Sequence, residues 1–297
     1  MLEIRGLHKS FGDKQVLCGL DLTVPEHSIY GFIGKNGAGK TTTMKAVLGL
    51  LSADSGEIYV NGERVNYGRT DTNRYIGYLP DVPEFYSFMT AAEYLTFCGE
   101  IAGMSPSKTR TRTEELLSLV GLSGESHRIK GFSRGMKQRL GIAQALLGDP
   151  LLLICDEPTS ALDPVGRKEI LDLLLSIRER TTVLFSTHIL SDVERIATDV
   201  AFLKDGVVGI HGPLADVKAK YRKKEYLIEV ERPSDVSVLL SAFPGMRSAE
   251  EGRASFSEGE HTAAEVLRFV AERGIPIMRI ERLEPSLEDL FVEVSEG

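Results

Sequence analysis

The feature that most constrains this chain is a glycine-rich loop at residues 34–41, which read Gly-Lys-Asn-Gly-Ala-Gly-Lys-Thr. Their spacing fits the G-x-x-x-x-G-K-[ST] pattern of loops that wrap nucleotide phosphates. The apolar run at 28–33 predicts a buried strand before the loop, and residues 40–48 predict a helix after it. Backbone N–H groups and the helix N-terminus would then face the phosphates. The predicted nucleotide-binding positions are Gly34, Lys35, Asn36, Gly37, Ala38, Gly39, Lys40, Thr41 and Thr42.

Two side chains of this loop have distinct predicted roles. Lys40 is placed to reach the β- and γ-phosphates, and the Thr41 hydroxyl is placed to hold Mg²⁺. A loop of this kind occurs in several classes of nucleotide-binding protein, so the remainder of the chain must distinguish among them.

An apolar run ending in two carboxylates is the second informative segment. Residues 151–157 read Leu-Leu-Leu-Ile-Cys-Asp-Glu, a composition typical of a parallel strand buried on both faces. Ligand chemistry gathers at the carboxyl ends of such strands. We therefore expect Asp156 to hold Mg²⁺ and Glu157 to polarise a water for in-line attack. A strand that runs into a solvated acidic turn is the alternative.

A third segment lies upstream of the acidic strand. Residues 131–139 read Gly-Phe-Ser-Arg-Gly-Met-Lys-Gln-Arg and lead into an apolar helical run. Ser133 would lie at the helix start, where free N–H groups bind an anion or where the hydroxyl simply caps the helix. The acidic strand continues into Ser-Ala-Leu-Asp at 160–163, and His188 follows another apolar run at 182–187. In this order, the motifs resemble those of the ATP-binding cassette (ABC) family over about residues 1–217.

The resemblance implies ATP and Mg²⁺ as cofactors and assigns several further roles. Phe11 matches the aromatic residue on which adenine stacks, and His188 matches the switch histidine that contacts the γ-phosphate and orients the attacking water. Asp163 matches the acid of the loop that crosses a dimer interface. The signature positions that bind the ATP of the opposite protomer are Ser133, Arg134, Gly135 and Met136.

Two positions depart from the commoner family pattern. The signature reads Phe-Ser-Arg-Gly-Met instead of Leu-Ser-Gly-Gly-Gln, which is similar to the bacterial exporter branch for drugs, sodium and related cargo. Asp81 stands where most cassettes carry Gln, and an ionised Asp accepts hydrogen bonds but cannot donate them. We therefore expect a retuned metal site formed by Thr41, Asp81 and Asp156.

Composition limits the compartment and the partners. The 297 residues carry a net charge of −8, which argues against nucleic acid as a partner. The three cysteines are widely spaced, fit neither a disulfide framework nor a zinc site, and suggest a reducing cytoplasm. The sequence shows no signal peptide, and no apolar run approaches the length of about 18 residues that is needed to span a bilayer. We expect a protein at the cytoplasmic face of a bacterial or archaeal membrane, with the channel on another polypeptide.

The expected fold is an α/β P-loop NTPase of the ABC cassette type with a small α+β C-terminal domain. The cassette, residues 1–217, would contain a mainly parallel sheet, an antiparallel β subdomain and a helical subdomain at about 85–148. A basic run at 218–224 would form a linker, and residues 225–297 the second domain. The second domain would brace the protein or a dimer, or else bind a regulatory small molecule. We predict its elements at 226–231, 234–243, 254–257, 262–273, 275–280 and 287–291.

Five aromatic residues within 85–97 predict a surface that is partly core and partly exposed, and the resemblance implies that this stretch faces a membrane partner. The leading function is therefore the ATPase subunit of an exporter, with two copies closing head to tail around two ATP molecules and acting on a separate polytopic permease. A heterodimer stays open. The alternatives are a soluble cassette ATPase acting on a partner such as the ribosome, and a module that senses ATP without hydrolysing it.

Overall fold

The computed structural model describes residues 1–69, 71–220, 225–283, 287–288 and 290. Within these residues the chain divides into two compact units, Met1–Val217 and Lys218–Leu290. The first unit contains ten strands and seven helices, the last helix continuing into the second unit. Its strands are β1 (Leu2–Phe11), β2 (Lys14–Val24), β3 (Ile29–Gly34), β4 (Ser55–Val60), β5 (Glu63–Arg64), β6 (Ile76–Leu79), β7 (Leu152–Asp156), β8 (Thr182–Thr187), β9 (Asp199–Lys204) and β10 (Val207–Pro213). Its helices are α1 (Lys40–Val47), α2 (Ala91–Ile101), α3 (Pro106–Leu119), α4 (Arg134–Ala145), α5 (Pro164–Ile177), α6 (Leu190–Ile196) and α7 (Leu214–Lys220).

The centre of the first unit is a six-stranded sheet with the order β10-β9-β3-β8-β7-β6. Its strands are parallel except β10, which runs antiparallel to β9. Every residue of β3, β7 and β8 is buried, which explains why these segments read as continuous apolar runs. The carboxyl ends of β3, β8 and β7 therefore lie side by side at one edge of the sheet.

A second, antiparallel sheet has the order β2-β1-β4-β5. One face of β1 and β2 supplies buried Leu and Ile side chains to a core shared with α1 and the six-stranded sheet. Phe32 on β3 and Met44 on α1 are fully buried in this core. Burial of an aliphatic or aromatic side chain stabilises a fold by about 1.5–3 kcal/mol, so this shared core holds the phosphate loop between the two sheets.

Helices α2, α3 and α4 form the helical part between β6 and β7. Thr90 and Glu93 make a reciprocal capping box at the start of α2, and Ser105 with Pro106 begins α3. Helix α4 lies directly on β6, because Gly141 has no side chain: a Cβ there would come within 2.5 Å of Leu79 Cδ1. This close packing places the first turn of α4 beside the loop that follows β6.

The second unit has the element order β11 (Glu225–Val230), α8 (Ser234–Ala242), β12 (Arg247–Glu250), β13 (Arg253–Ser257), α9 (Ala263–Arg273) and β14 (Ile277–Arg282). Its antiparallel sheet has the order β12-β13-β11-β14, and both helices share a buried core with β11 and β13. This βαββαβ arrangement is ferredoxin-like. Strand β12 was not predicted, because its four residues are all exposed and show no apolar alternation.

Two predicted segments, the linker and the final helix, lie partly outside the described residues. The predicted linker 218–224 begins inside α7, which runs to Lys220; Lys218 and Lys220 in its last turn complement the helix dipole. Residues 221–224 lie outside the described residues, as does part of the predicted final helix, of which 287, 288 and 290 are described as helical. Within the described ranges no helix is long and apolar enough to cross a bilayer.

Candidate active site

The phosphate loop joins β3 to α1, and the position just before α1 accommodates only glycine. Gly39 caps α1 with φ 113°, and a Cβ there would lie 2.8 Å from Leu17 Cδ2 and 3.2 Å from the Val16 carbonyl oxygen. The loop therefore packs against β2 while its backbone turns into the helix. Lys40, the first residue of α1, is buried, and its ammonium donates to the Gly34 carbonyl at 2.7 Å.

Lys40 also faces the acid that follows β7. Its Nζ lies 3.2 Å from Glu157 Oε1, an ion pair between two largely buried groups. The contact does not have hydrogen-bond geometry, and Glu157 Oε1 has no hydrogen-bond partner among the described residues. An acceptor atom that is buried and left without a donor is costly, so it is a natural position for a water or another ligand atom.

Thr41, Asp156 and Ser186 form a hydroxyl–carboxylate–hydroxyl chain. Thr41 Oγ1 donates to Asp156 Oδ2 at 2.7 Å, and Ser186 Oγ donates to Asp156 Oδ1 at 2.6 Å. Ser186 Oγ in turn accepts from the Glu157 backbone N–H at 3.0 Å. One hydroxyl and one carboxylate side by side fit Mg²⁺, which keeps several waters and is bound by one or two carboxylates together with substrate phosphates.

Glu157 and His188 come from the ends of neighbouring strands. Glu157 has φ 49°, in the left-handed region, and its Oε2 lies 2.9 Å from His188 Nδ1. An ionised carboxylate can only accept, so His188 donates from Nδ1 in this contact. The imidazole therefore restrains the carboxylate beside the end of β7.

Asp81 lies in the loop after β6 and shares a cleft with the metal-binding candidates. The cleft has a volume of about 320 Å³ and is lined by Asn36, Gly37, Gly39, Lys40, Thr41, Thr42, Asp81, Asp156 and Glu157. The Asp81 carboxylate, however, bonds to neither Thr41 nor Asp156. It accepts from Ser160 Oγ at 2.6 Å and lies 3.7 Å from the Arg134 guanidinium.

The signature residues and Asp163 occupy helix N-termini. Ser133 caps α4 by accepting from the Met136 N–H at 3.2 Å, and Asp163 caps α5 by accepting from the Gly166 N–H at 3.2 Å. Within the described part of the chain, the cleft lining includes neither residue, nor Gly135. The structure thus separates these residues from the phosphate loop of the same chain.

Phe11 ends β1 next to the turn into β2. Its ring is 51% exposed, and Lys9 Nζ lies 5.5 Å from the ring centroid. Its cross-strand neighbour Lys14 lines a cavity of about 470 Å³, to which Lys35 and Ala38 of the phosphate loop also contribute. Phe11 is therefore near the phosphate loop and accessible to a planar ligand.

Three polar residues of the site were not predicted from the sequence. Ser186 contacts Asp156 because β7 and β8 place these residues directly opposite each other. Gln138, which is fully buried, donates to the carbonyls of Asp81 and Pro158, both at 3.2 Å. Ser160 bonds Asp81. Only strand register and helix placement reveal these contacts, although the position of Ser186 near the end of an apolar run is a weak signal.

A buried carboxylate joins the loop after β7 to the segment after β8. Asp192 Oδ2 accepts from Thr159 Oγ1 at 2.6 Å, and its Oδ1 accepts from the Arg167 guanidinium. Arg167 also donates to Ser191 Oγ at 2.7 Å. Asp192 therefore connects α6, α5 and the loop that lies between Glu157 and Asp163.

Tyr78 on β6 also lies among these carboxylates. Burial, followed by the negative charges of Asp156 and Asp81, raises the pKa of Tyr78 to about 12. Its hydroxyl therefore remains protonated at neutral pH.

The aromatic stretch after Asp81 is divided between core and surface. Phe85 stacks edge-on against the buried Tyr94 with ring centroids 5.1 Å apart. Tyr86 and Phe88 are 52% and 60% exposed, and neighbouring Val82 is 63% exposed. Phe85 begins the predicted docking stretch, but its ring is half-buried against Tyr94 on α2. Tyr86 and Phe88 are the better candidates.

The fold and the site define a P-loop NTPase with an inserted helical part. A family model described as "ABC transporter" matches residues 17–160, and one described as "ATP-binding protein DrrA1-3-like, C-terminal domain" matches 212–295. The chain is 38% identical to the uncharacterized ABC transporter ATP-binding protein YxlF of Bacillus subtilis, with 99% of both chains covered. It is 36% identical to the bacitracin transport ATP-binding protein BcrA of Bacillus licheniformis, with 100% of this chain and 98% of that protein covered.

Solved structures of ATP-binding cassettes have the same fold. An ATP-binding subunit of an ABC transporter superposes with a TM-score of 0.67 at 32% identity, covering 74% of this chain and 93% of that one. A dimeric cassette, MJ0796 bound to ADP and Pi, superposes with a TM-score of 0.62 at 26% identity, covering 72% and 99%. The chain belongs to the family of ABC transporter ATP-binding subunits. Its members bind ATP, and membership implies ATPase activity.

Proposed function

We propose that this chain is the Mg²⁺-dependent ATPase subunit of an exporter, located at the cytoplasmic face of a bacterial or archaeal membrane and powering a separate polytopic permease. The observation that carries the proposal is the meeting of Lys40, Thr41, Asp156, Glu157 and His188 at one edge of the parallel sheet. These groups supply a phosphate-binding cation, two metal ligands, a base and a residue that orients the base.

The chemistry follows from the partners of each group. Lys40 exchanges its contact with Glu157 for the β- and γ-phosphates, which leaves the Glu157 carboxylate to accept a proton from the attacking water. His188 holds that carboxylate through Nδ1, and the family resemblance implies that it contacts the γ-phosphate. Thr41 and Asp156 would hold Mg²⁺, which would supply positive charge to neutralise the charge that develops on the phosphates. Ser186 keeps Asp156 in register with Glu157.

The second part of the proposal is a shared site. Ser133, Gly135 and Asp163 lie at helix N-termini outside the cleft of their own chain, with Arg134 and Met136 in the same turn as Ser133. Helix N-termini bind anions, and two chains arranged head to tail would present these residues to each other's ATP. The similar MJ0796 cassette is a dimer bound to ADP and Pi, which supports this arrangement. We propose a homodimer.

Export is supported by the relatives. Two that cover almost the whole chain are named for bacitracin transport, at 36% and 32% identity. The exposed Val82, Tyr86 and Phe88 supply an apolar surface, directly after Asp81, for a membrane partner. The relatives do not favour the soluble, ribosome-directed alternative.

The proposal is tested by co-expressing the chain with any polytopic membrane protein that its neighbouring coding sequences prove to encode. We expect the two to co-purify from detergent-solubilised membranes and ATP hydrolysis to require Mg²⁺ and to depend on Glu157. Co-sedimentation with ribosomes, combined with absence from the membrane fraction, would favour the alternative function.

A further inference from the structure

The loop after β6, the loop after β7 and helix α4 meet at Asp81, which also lines the cleft. The fully buried Gln138 on α4 donates to the backbone carbonyl of Asp81 and to that of Pro158, each at 3.2 Å. One side-chain amide therefore joins the loop after β6 to the loop after β7. Gln138 Oε1 has no hydrogen-bond partner among the described residues, so the amide is held by its donors alone.

The Asp81 carboxylate adds a second connection at the same point. Its Oδ1 accepts from Ser160 Oγ at 2.6 Å, and Arg134 Nη2 lies 3.7 Å from the same Oδ1 atom. Arg134 Nη2 also donates to Ser160 Oγ at 3.4 Å. Ser160 thus stands between the guanidinium and the carboxylate and bonds both. The Asp81 and Arg134 side chains are 48% and 46% exposed, so the pair is accessible to exchange.

We propose that Arg134 and Ser160 are positioning residues that compete with the metal–nucleotide for the Asp81 carboxylate. Asp81 exchanges between two sets of partners: Arg134 and Ser160 of its own chain, and the cation held at Thr41 and Asp156. When Asp81 turns to the cation, Arg134 is released at the first turn of α4, beside Ser133, and Ser160 is released in the loop that leads to Asp163. The inference rests on the function proposed above and explains how occupancy of the cleft is transmitted to the residues that serve the opposite protomer.

Charge and geometry support this exchange. Asp81 lines the same cleft as Thr41 and Asp156, so its carboxylate would meet a cation held there by turning within that cleft. A carboxylate is acceptor-only, and both an arginine and a divalent cation satisfy it, whereas a glutamine at 81 could not form the ion pair. The two departures from the commoner family pattern, Asp81 and Arg134, are therefore partners of each other.

The test measures the Mg²⁺ concentration needed for half-maximal binding of a fluorescent ATP derivative, in the turnover-blocked Glu157→Gln protein. Removing a competitor of the cation should lower this concentration. We expect Arg134→Gln to lower it about two- to fivefold, the range of a solvent-exposed ion pair. Ser160→Ala should also lower the Mg²⁺ concentration needed for half-maximal binding. Asp81→Asn should raise it, and Asp81→Asn/Arg134→Gln should match Asp81→Asn alone.

A matched control and an independent readout complete the design. Arg139 lies on the same helix but pairs with Glu169 at 2.8 Å, so Arg139→Gln should leave the Mg²⁺ midpoint unchanged. In nucleotide-free protein, hydrogen exchange of a peptide covering 158–163 should increase in Arg134→Gln and Ser160→Ala.

An unchanged midpoint in Arg134→Gln, a rise in that midpoint, or an Arg134 effect that persists without the Asp81 carboxylate would each overturn the inference. Failure of the proposed function is distinguishable: the ATP derivative would then bind equally well to the Lys40→Ala protein.

Discussion

Lys40 and Glu157 face each other across the cleft with 3.2 Å between Nζ and Oε1. The proposed phosphate-binding lysine, which begins α1, is thus the ion-pair partner of the proposed base, which follows β7. A γ-phosphate that takes the lysine would also free the carboxylate. We propose that ATP binding and release of the base are coupled through this contact.

The first prediction separates the roles of these two residues. Lys40→Ala should weaken ATP binding by about tenfold or more, because charge-assisted hydrogen bonds to the phosphates are lost. Glu157→Gln should retain binding and lose about 10²–10⁴-fold in turnover, because the shape remains and the base is removed. Equilibrium binding and phosphate release measure the two effects, with Lys45→Ala, an exposed position on α1, as the control. Near wild-type turnover in Glu157→Gln would refute the assignment of the base.

The second prediction concerns the shared site. The Glu157→Gln protein should dimerise with ATP and return to monomer with ADP, as measured by light scattering. Adding Ser133→Arg should abolish the dimer, because the larger side chain occupies the proposed phosphate position at the start of α4. Ser118→Arg, on the exposed face of α3, is the matched control and should dimerise normally. A size that does not respond to ATP would count against the head-to-tail model.

The third prediction concerns the membrane partner. Tyr86→Ala and Phe88→Ala should each weaken co-purification with the permease, because exposed aromatic anchors contribute about 2 kcal/mol or more at such interfaces. ATP binding by the isolated chain should survive in both. The control is Tyr67→Ala, which removes an aromatic ring that is at least as exposed but lies outside this stretch, and it should leave co-purification unchanged. Intact complexes in both variants would exclude the stretch as the docking surface.

The fourth prediction concerns the buried carboxylate on α6. Asp192→Asn should lower the free energy of unfolding of the cassette by about 2–3 kcal/mol, because the buried Asp192 loses its charge-assisted hydrogen bond with the partly exposed Arg167. Urea unfolding followed by circular dichroism measures the change. The control is Asp172→Asn, whose pair with Arg195 also joins α5 and α6 but is exposed, so its effect should stay within about 1 kcal/mol. Equal losses in the two variants would contradict this account.

The fifth prediction concerns the thiol next to Asp156. Complete burial, followed by the Asp156 charge, raises the pKa of Cys155, so little thiolate exists at pH 8. We expect iodoacetamide to leave Cys155 unmodified in native protein and to modify it in urea, as peptide mass spectrometry would report. Rapid native labelling of Cys155 would show that β7 is less protected than the structure indicates.

The family and the fold class were predicted correctly from the sequence, because the buried strands and the phosphate loop leave local signals. The parallel core follows from apolar runs such as 151–156, which form β7. Strand β12 left no such signal, since its exposed Arg-Ser-Ala-Glu segment has no apolar face.

Contacts between segments that are distant in the sequence could not be predicted from it. Ser186 meets Asp156 through strand register, Gln138 meets Asp81 through the packing of α4 on β6, and neither relationship is encoded by local spacing. Asp81 was predicted as a metal ligand, and the structure adds Ser160 and Arg134 as its partners. The roles of the site residues stay predictions until the variants above are measured.

The left-handed backbone of Glu157 has an evolutionary consequence. A non-glycine residue in this region costs about 1–3 kcal/mol, and Glu157, the proposed base, is one of six described non-glycine residues with a positive φ. Glycine would relax the backbone while deleting the base. Selection for thermal robustness alone would therefore drive this position away from glutamate, and only selection for turnover keeps it there.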